Sequence, residues 1–402
     1  MSRKLNLLIL PGSKFPLKRS MHISLWNNSF KNRGHKIVWI LKPNFKLKKI
    51  SKYLWNGSEV YLLPNHEYQN FGLRFLESII NIFITFSLIS KLKKSQNFDL
   101  IHAHDYMLQG MIVVLSCFFS SNKISFAYTA PFIEMTRKRF NRKGLIYKIL
   151  GYFWSDFVRF NYNIIFSTTD IIFPISVNLG DKLCKDYRLE KSKMFPVSED
   201  ASSYFLQFKS KRILDNRIIY IGTLDRGRNI EFMFRTLKRV RKKVENAKLL
   251  LVGSSDNPKD IKSLKNVVNS LNLSKSVEFL GQVNYYDLPK VANCANLGLS
   301  PIPPKKEYIF STPTKTIEYL SLGIPVVANN EIIDQKEVLD KSKGGFAVKY
   351  REEAFAEAII KLLNDPKMAR ELGFKGRDWL QRNRNFDITA GNIEKRIILE
   401  LT

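Results

Sequence analysis

The amino-acid sequence predicts two α/β domains in tandem, each a doubly wound parallel β-sheet with helices on both faces. Short, almost continuously apolar segments alternate with longer amphipathic segments, which is typical of strands buried on both faces and separated by helices. The alternation stops near residue 200 and then restarts. The length of 402 residues agrees with this division, because single domains mostly stay below about 250 residues.

The first series of apolar runs predicts the strands of the N-terminal domain. Each run is bounded by Gly, Pro, Asn or Asp, and they span residues 5–10, 37–41, 60–63, 100–103, 124–128 and 171–175. The most apolar longer stretches, 79–90 and 111–119, are shorter than the ~18 residues that a membrane-spanning helix needs. We therefore expect no transmembrane span.

The second series predicts the sheet of the C-terminal domain. Its strands are expected at residues 218–221, 248–252, 277–280, 297–300 and 325–328. Between the two series, residues 198–210 are polar and show no clear period, so the domain boundary is expected there. The first domain then covers residues 1–200, and the second begins at residue 201.

Composition excludes several classes of protein. An apolar fraction of 45% and a charged fraction of 25% are those of a folded globular protein, not of a disordered chain. Three cysteines, Cys117, Cys184 and Cys294, are odd in number and far apart, which excludes a disulfide scaffold and a CxxC metal or redox site. Such cysteines fit a reducing compartment, so we expect a cytoplasmic protein.

The formal net charge of +29 is concentrated in the first 150 residues, which hold 24 basic and six acidic residues. Such a field attracts nucleic acid, an anionic membrane or a phosphorylated ligand. A general lysine bias of the genome is an alternative explanation for part of it. Residues 135–165 mix basic and aromatic side chains, which suits an anionic membrane surface. The alternative for that segment is an amphipathic helix with a solvated basic face.

Four features follow strands of the second series, where ligands of such sheets bind. The first is the loop at residues 220–229, in which Gly222 permits close backbone approach and Arg226 and Arg228 can bind phosphate oxygens. The second is Gly253, directly after a buried strand, and the third is Gly281, after which the backbone at Val283 could read a base edge. Solvated loops and simple turns are the alternatives for all three.

The fourth feature is the segment 311–327. Thr312 is expected as the N-cap of a helix, Pro313 as its first residue and Gly323 as its end. Lys315 and Glu318 are three residues apart and share one helical face. One suits a diphosphate oxygen and the other the paired hydroxyls of a ribose. A simple exposed ion pair is the alternative.

His102 and His104 are two residues apart on a predicted strand, so both side chains point to one face. With Asp105 they imitate a metal site, but a third ligand is not apparent, and the sequence holds no Asp-x-Asp motif. We expect no metal and no cofactor. Packing is one explanation for the histidines, and a role in a ligand-binding cleft is the other.

The order and spacing of the four features resemble those of the GT-B glycosyltransferases, specifically the retaining family 4 type (glycosyl transferases group 1). Residues 318–327 are the most specific match, and residues 33–37 and 99–104 are similar to segments of the family's N-terminal domain. The resemblance implies two Rossmann-like domains facing a central cleft. The acceptor side would lie in residues 1–200, the nucleotide sugar in residues 201–375, and a C-terminal helix, 376–402, would cross back to the first domain.

The resemblance also implies an activity. It is the transfer of a sugar from a nucleotide-diphosphate sugar to a polysaccharide or lipid-linked acceptor, with retention of anomeric configuration, in cell-surface polysaccharide or glycolipid synthesis. The protein would be peripheral on the cytoplasmic face of the membrane. The catalytic candidates are Arg228, Lys315 and His104. The donor-binding candidates are Gly222, Thr223, Arg226, Arg228, Gly253, Val283, Ser311, Thr312, Thr314, Lys315 and Glu318.

The sequence departs from the family at the position eight residues before Glu318, where Phe310 stands instead of a second acidic residue. A non-catalytic sugar-nucleotide-binding homologue is therefore an alternative. A nucleotide-sugar epimerase would need acidic and basic catalytic residues that do not stand at matching positions. A basic nucleic-acid-binding protein is a third alternative, but no known nucleic-acid module is present, so nucleic acid is not expected as a partner.

Overall fold

The computed structural model describes residues 3–118, 120–134, 145–208 and 215–402. The chain divides into two compact units, one of Met1–Ser198 with Thr389–Thr402 and one of Glu199–Ile388. Most of the basic residues in the segment expected to suit a membrane, at residues 137–143, lie outside the described residues, as do residues 209–210 of the expected boundary segment.

The first unit contains an eight-stranded sheet with the order β4-β5-β3-β1-β6-β7-β8, and β2 pairs with β3. All pairs are parallel except β4 with β5. The six predicted strands are confirmed, whereas β2 and β4 are additional. The strands are β1 (Asn6–Leu10), β2 (Lys14–Phe15), β3 (Lys36–Pro43), β4 (Ser51–Trp55), β5 (Ser58–Leu62), β6 (Leu100–His104), β7 (Lys123–Tyr128) and β8 (Ile171–Pro174).

A π-helix, Met21–Ser29, continues into the short helix α1 (Phe30–Asn32). The longer helices of the first unit are α2 (Phe71–Ser95), α3 (Met107–Cys117), α4 (Leu145–Thr168) and α5 (Val177–Tyr187). Within α2, residues Gly72–Ser95 are long and apolar enough to cross a membrane by length and composition. The apolar run at 79–90 is the middle of this longer helix, which includes charged residues near both ends. The expectation of no transmembrane span stays a prediction.

The second unit contains a six-stranded, wholly parallel sheet with the order β11-β10-β9-β12-β13-β14. Alternate residues of its strands enter two separate hydrophobic clusters: Ile218 and Leu249 belong to one, and Ile219 and Leu250 to the other. The sheet is therefore buried on both faces, as predicted. Its strands are β9 (Arg217–Ile221), β10 (Lys248–Val252), β11 (Val277–Gly281), β12 (Leu297–Ser300), β13 (Val326–Asn329) and β14 (Gly345–Val348), the last of which was not predicted.

The helices of the second unit alternate with these strands. They are α6 (Ser203–Leu206), α7 (Glu231–Val240), α8 (Pro258–Ser270), α9 (Leu288–Ala292), α10 (Thr314–Ser321), α11 (Ile333–Ser342), α12 (Glu352–Asn364) and α13 (Pro366–Asn383), followed by α14 (Phe386–Leu401).

The C-terminal stretch is two helices and not the single helix expected over residues 376–402. The break lies at Arg384, whose buried guanidinium is held 3.0 Å from both Asp200 and Asp334. Residues from Thr389 onward cluster with the first unit. There the Glu394 carboxylate lies 2.6 Å from the Arg33 guanidinium, so the end of α14 is part of the first unit's structure.

Candidate functional site

Glycines bring the loops after β9, β10 and β11 together. The Gly222 amide donates to the Val252 carbonyl over 2.9 Å, and the Gly253 amide donates to the Gly281 carbonyl over 2.8 Å. Gly253 has a φ of +139°, and a Cβ there would lie 1.9 Å from the Gly222 carbonyl oxygen. This close packing requires glycine at position 253 whether or not a ligand binds nearby.

The basic loop after β9 is a tight turn that separates its two arginines. The Asp225 side chain accepts a hydrogen bond from the Arg228 amide over 3.1 Å, and Asn229 takes a left-handed conformation. The Arg226 side chain is 79% exposed and lies 3.2 Å from the Asp260 carboxylate. The Arg228 guanidinium instead lies over the Tyr308 ring, 5.0 Å from its centroid. Arg228, unlike Arg226, thus contacts the loop that precedes α10.

A second cation joins the same two loops. The Lys305 ammonium donates to the Gly227 carbonyl over 3.0 Å and lies 5.9 Å from the Tyr308 ring centroid. The Ser311 hydroxyl donates to the Tyr308 carbonyl over 2.6 Å. The Arg228 turn and the segment leading into α10 are therefore neighbours at the carboxyl ends of β9 and β12, where the sequence predicted an anion site. Lys305 was not predicted.

The helix α10 begins at Thr314, one residue later than predicted. Pro313, expected as the first helical residue, is the N-cap, and its side chain makes no capping hydrogen bond. Thr312, expected as the N-cap, is buried before the helix. Gly323, with a φ of +74°, ends the helix as predicted because it supplies the left-handed residue that a helix C-terminus needs.

Lys315 and Glu318 form an ion pair on α10. The Lys315 Nζ lies 2.8 Å from the Glu318 Oε2, and the two side chains are 30% and 7% exposed. The pair is therefore not the solvated ion pair that stood as the alternative. The Glu318 carboxylate can accept hydrogen bonds besides the one from Lys315. The Lys315 ammonium has three N–H donors, so it can bind Glu318 and a further anion at the same time.

Tyr319 fixes α10 to the end of β9. The Tyr319 hydroxyl accepts a hydrogen bond from the Ile221 amide over 2.7 Å, and burial raises the pKa of Tyr319 well above its usual range. A Cβ at Gly298 would lie 2.3 Å from the Tyr319 ring, so β12 makes room for this side chain. Sequence reasoning missed Tyr319. The only available signal was a glycine inside the otherwise apolar strand β12.

A buried polar network holds the start of the loop between β12 and α10. The Gln335 amide donates to the Asn329 carbonyl over 2.7 Å, and its oxygen accepts from the Ser300 hydroxyl over 2.9 Å. The Asn329 side-chain oxygen accepts from the Ile302 amide over 2.8 Å. Sequence reasoning also missed these residues, because their hydrogen bonds join positions up to 35 residues apart and no local pattern indicates such pairs.

The remaining candidates of the second unit lie at the same sheet edge. Thr223 follows Gly222, and its carbonyl accepts from the Tyr220 hydroxyl over 3.4 Å. Val283 follows Gly281 and packs half-buried against a hydrophobic cluster. Their predicted contacts with a donor nucleotide stay predictions.

His104 belongs to the first unit, unlike every other predicted site residue. Its side chain is 1% exposed and lies 4.7 Å, centroid to centroid, from the His22 ring. Burial lowers the pKa of His104 well below its usual range, and His102 and Arg19 lower it further. A neutral, fully buried imidazole is typical of packing, so the catalytic role of His104 stays a prediction that this burial does not favour.

The polar feature next to His104 is an ion pair that the sequence did not indicate. Asp105, fully buried with a φ of +65°, accepts from the Arg19 guanidinium and from the Thr129 hydroxyl, each over 2.6 Å. The Arg19 side chain is 46% exposed, so it presents a cation near the carboxyl end of β6. Within the described ranges, no three His, Cys, Asp or Glu side chains are grouped so that they could hold a metal ion.

The chain has two α/β units, each built on a largely parallel sheet, and the second has a basic turn and a helix start at the carboxyl edge of its sheet. This is the architecture of the GT-B fold. The structure superposes on sucrose-phosphate synthase from Thermosynechococcus elongatus with a TM-score of 0.74 at 16% identity, over 99% of this chain and 100% of that one. It superposes on HepE of Anabaena in complex with UDP with a TM-score of 0.70 at 12% identity, over 98% and 99%. These likenesses show the fold.

The sequence comparisons agree with the fold. Residues 215–365 match the family described as glycosyl transferases group 1. An uncharacterised glycosyltransferase of Methanocaldococcus jannaschii is 25% identical over 252 residues, 54% of this chain and 56% of that protein. The capsular polysaccharide biosynthesis glycosyltransferase CapM of Staphylococcus aureus is 25% identical over 228 residues, 53% and 57%. The chain thus spans about half the length of the curated relatives it matches.

Proposed function

We propose that the protein is a retaining glycosyltransferase of the family 4 type. It would move a sugar, of the hexosyl class, from a nucleotide-diphosphate sugar to a polysaccharide or lipid-linked acceptor in cell-surface polysaccharide or glycolipid synthesis. One observation carries the proposal: Arg228, held over Tyr308 in the loop before α10, and the Lys315–Glu318 pair near the start of α10 lie at one edge of the sheet. The family match over the second unit, the UDP bound to HepE and the similarity to CapM support it.

The chemistry follows from charge. Breaking the bond between the anomeric carbon and the diphosphate oxygen leaves negative charge on the diphosphate while the sugar becomes oxocarbenium-like. Fixed cations aimed at that oxygen lower the barrier because they interact with the charge as it develops. Arg228 and Lys315 would bind the diphosphate, and Glu318 would accept hydrogen bonds from the ribose hydroxyls.

The transfer needs no nucleophile from the protein, because the acceptor and the leaving group account for every bond made and broken. The acceptor hydroxyl oxygen forms the new bond to the anomeric carbon, and the leaving diphosphate oxygen takes the hydroxyl proton. The products are a nucleoside diphosphate and a glycoside. We assign the stabilisation of the leaving group to protein cations with no metal or cofactor, because two basic side chains already lie at this edge and the sequence has no Asp-x-Asp motif.

A second candidate function is sugar-nucleotide binding without turnover. Phe310, in the turn before α10, stands where a second acidic residue would contact the sugar in the resembling family. A protein that keeps the diphosphate and ribose contacts but lacks this carboxylate would bind the donor and transfer nothing.

Thermal unfolding with uridine, guanosine and adenosine diphosphates tests donor binding. A ligand at about 100 times its dissociation constant stabilises the folded protein by about 2.7 kcal/mol, so one of the three should raise the melting temperature. Arg228→Ala and Glu318→Ala should each abolish the rise. Arg235→Ala is the matched control, because Arg235 pairs with Glu352 on the exposed faces of α7 and α12.

Turnover separates the two candidate functions. Release of nucleoside diphosphate from the matching nucleotide sugar, in the presence of membrane extract as acceptor, supports the transferase. Binding with no release from any nucleotide sugar supports the non-catalytic protein. A wild-type chain whose melting temperature is unchanged by all three diphosphates refutes the proposed site itself.

A further inference from the structure

The outward face of α2 is apolar along most of its length. Leu73, Leu76, Ile80 and Phe83 recur at spacings of three and four residues, so they form one stripe, and all four are exposed. Phe83 is 70% exposed. In a helix of a water-soluble domain this stripe would carry polar side chains, so the α2 surface calls for a partner that removes it from water.

The outward face of α4 repeats the pattern. Ile149, Phe153, Phe157 and Phe160 lie on one stripe at spacings of four and three, and each is at least half exposed. Trp154 lies beside this stripe and is about half exposed. Two helices of the same unit therefore present large apolar side chains to solvent.

The two stripes belong to one layer, because α3 packs against both α2 and α4. Leu115 on α3 and Phe118 just after it are also more than half exposed. We call the outward side chains of α2, α3 and α4 the three-helix face. Ten exposed side chains are named on this face: four in each stripe, Leu115 and Phe118. Together they expose roughly 1,200 Å² of apolar surface. The largest apolar patch on a typical monomer is ~300–600 Å².

The inward side of α2 is fixed to the unit, which argues against a membrane crossing. The Glu77 carboxylate is buried, lies 2.7 Å from the Lys42 ammonium and accepts from the His66 amide over 2.6 Å. The Asn81 amide donates to the Pro64 carbonyl over 3.2 Å. An ion pair and polar contacts to strands and loops hold α2 in the folded unit, so its outer stripe is available to lie on a surface.

The charges of the three helices select the kind of surface. Their sequences contain six basic and two acidic residues, and one of the acids is the buried, paired Glu77. Arg74, Lys91 and Lys94 are exposed near the two ends of α2, and Arg159 is exposed on α4. Among the described residues of the three helices, Asp156 is the sole exposed acid. Apolar stripes bordered by cations match an anionic lipid surface.

We infer that the three-helix face docks the protein onto an anionic lipid bilayer. The apolar stripes enter the headgroup boundary, and the lysines and arginines bind lipid phosphates. The cytoplasmic leaflet is the anionic one, which agrees with a cytoplasmic location on the membrane's inner face. The inference does not depend on sugar transfer, but a face of this kind would hold the enzyme beside a lipid-linked acceptor.

Vesicle flotation tests the inference. The wild-type protein should float with phosphatidylcholine vesicles containing ~30% phosphatidylglycerol and much less with phosphatidylcholine alone. The double variant Phe83→Asp/Phe153→Asp should bind the anionic vesicles at least about tenfold more weakly, because it removes one anchor from each stripe and adds repulsion. Leu54→Asp is the matched control, since Leu54 is 77% exposed on β4 of the same unit, and it should float like the wild type.

Equal flotation of the double variant, or equal flotation with neutral vesicles, overturns the inference. So does a wild-type protein that stays off vesicles but forms a dimer that the double variant breaks, because the face then binds a second copy. Nucleotide binding measured by thermal shift should be unchanged in the double variant, which separates this inference from the proposed transferase.

Fluorescence provides a second measurement on a variant that keeps the face apolar. Anionic vesicles should shift the tryptophan emission to the blue, because Trp154 leaves water. Trp154→Phe should still float and should lose most of that shift. A shift that is unchanged in Trp154→Phe places the contact elsewhere and contradicts the three-helix face.

Discussion

The free energy of unfolding is expected to fall between pH 7.5 and pH 5, and replacing His102 with asparagine should make this fall smaller. His102 is fully buried on β6, between Trp26 and Phe173, with its Nδ1 2.9 Å from the Ser125 hydroxyl. Burial lowers its pKa from the usual 6.5 to about 3, although Asp105 opposes the shift. The unfolded chain therefore takes up the proton first. The stabilising effect is complete above pH 6.5 and is lost as the pH falls toward 3.

The size of the effect follows from the two pKa values. At pH 5 an unfolded histidine of pKa 6.5 is largely protonated and the folded one is not, which favours unfolding by about 2 kcal/mol. The His102→Asn variant lacks this contribution, so its loss between the two pH values should be about 2 kcal/mol smaller. The substitution also weakens packing, but this lowers the free energy of unfolding equally at both pH values and so does not affect the difference between them.

Urea unfolding at the two pH values, followed by tryptophan fluorescence, measures this difference. Four of the five tryptophans, at positions 26, 39, 55 and 154, lie in the first unit, so the signal reports mainly on the sheet that contains His102. Phe173→Leu is the control, because it destabilises the same packing without a titrating group. A His102→Asn variant that loses as much stability as the wild type would refute the reasoning.

Three further predictions concern the second unit. Gly253→Ala should destabilise the protein by more than about 2 kcal/mol in urea, because its Cβ would overlap the Gly222 carbonyl; an unchanged midpoint would contradict this. Tyr319→Phe should cost about 1–3 kcal/mol by leaving the buried Ile221 amide without its acceptor, whereas a neutral result would mean that another acceptor takes over. Arg228→Ala should lower kcat/KM for the donor ~10²–10³-fold, and a value within twofold of wild type would remove Arg228 from the chemistry.

The buried strands were predictable because their sequences are continuous apolar runs, and all eleven expected strands are present. The strands that were missed lack this signal. In β4, at the edge of its sheet, the three central residues Lys52, Tyr53 and Leu54 are all exposed. The strand β14 is only half-buried and begins with Gly345. A strand at the edge of a sheet has fewer neighbours to bury its side chains. Its sequence therefore need not be the continuous apolar run from which the other strands were predicted.

The candidate site was predictable where a local pattern limits the choice of residue. Gly222, Gly253 and Gly323 could be placed because tight turns and helix ends require glycine. The contact between Tyr319 and Ile221 joins positions 98 residues apart, and no local pattern indicates such a pair. The same holds for Arg19 and Asp105, which are 86 residues apart.

The assignment of Thr389–Thr402 to the first unit has a consequence for how the chain folds as it is synthesised. Ala390, Ile393 and Ile397 are fully buried and belong to that unit. Its core therefore stays incomplete while the ribosome makes the whole of the second unit, which can fold from contiguous chain. We expect a chain truncated after residue 388 to protect the second unit from protease and to leave the first open to cleavage.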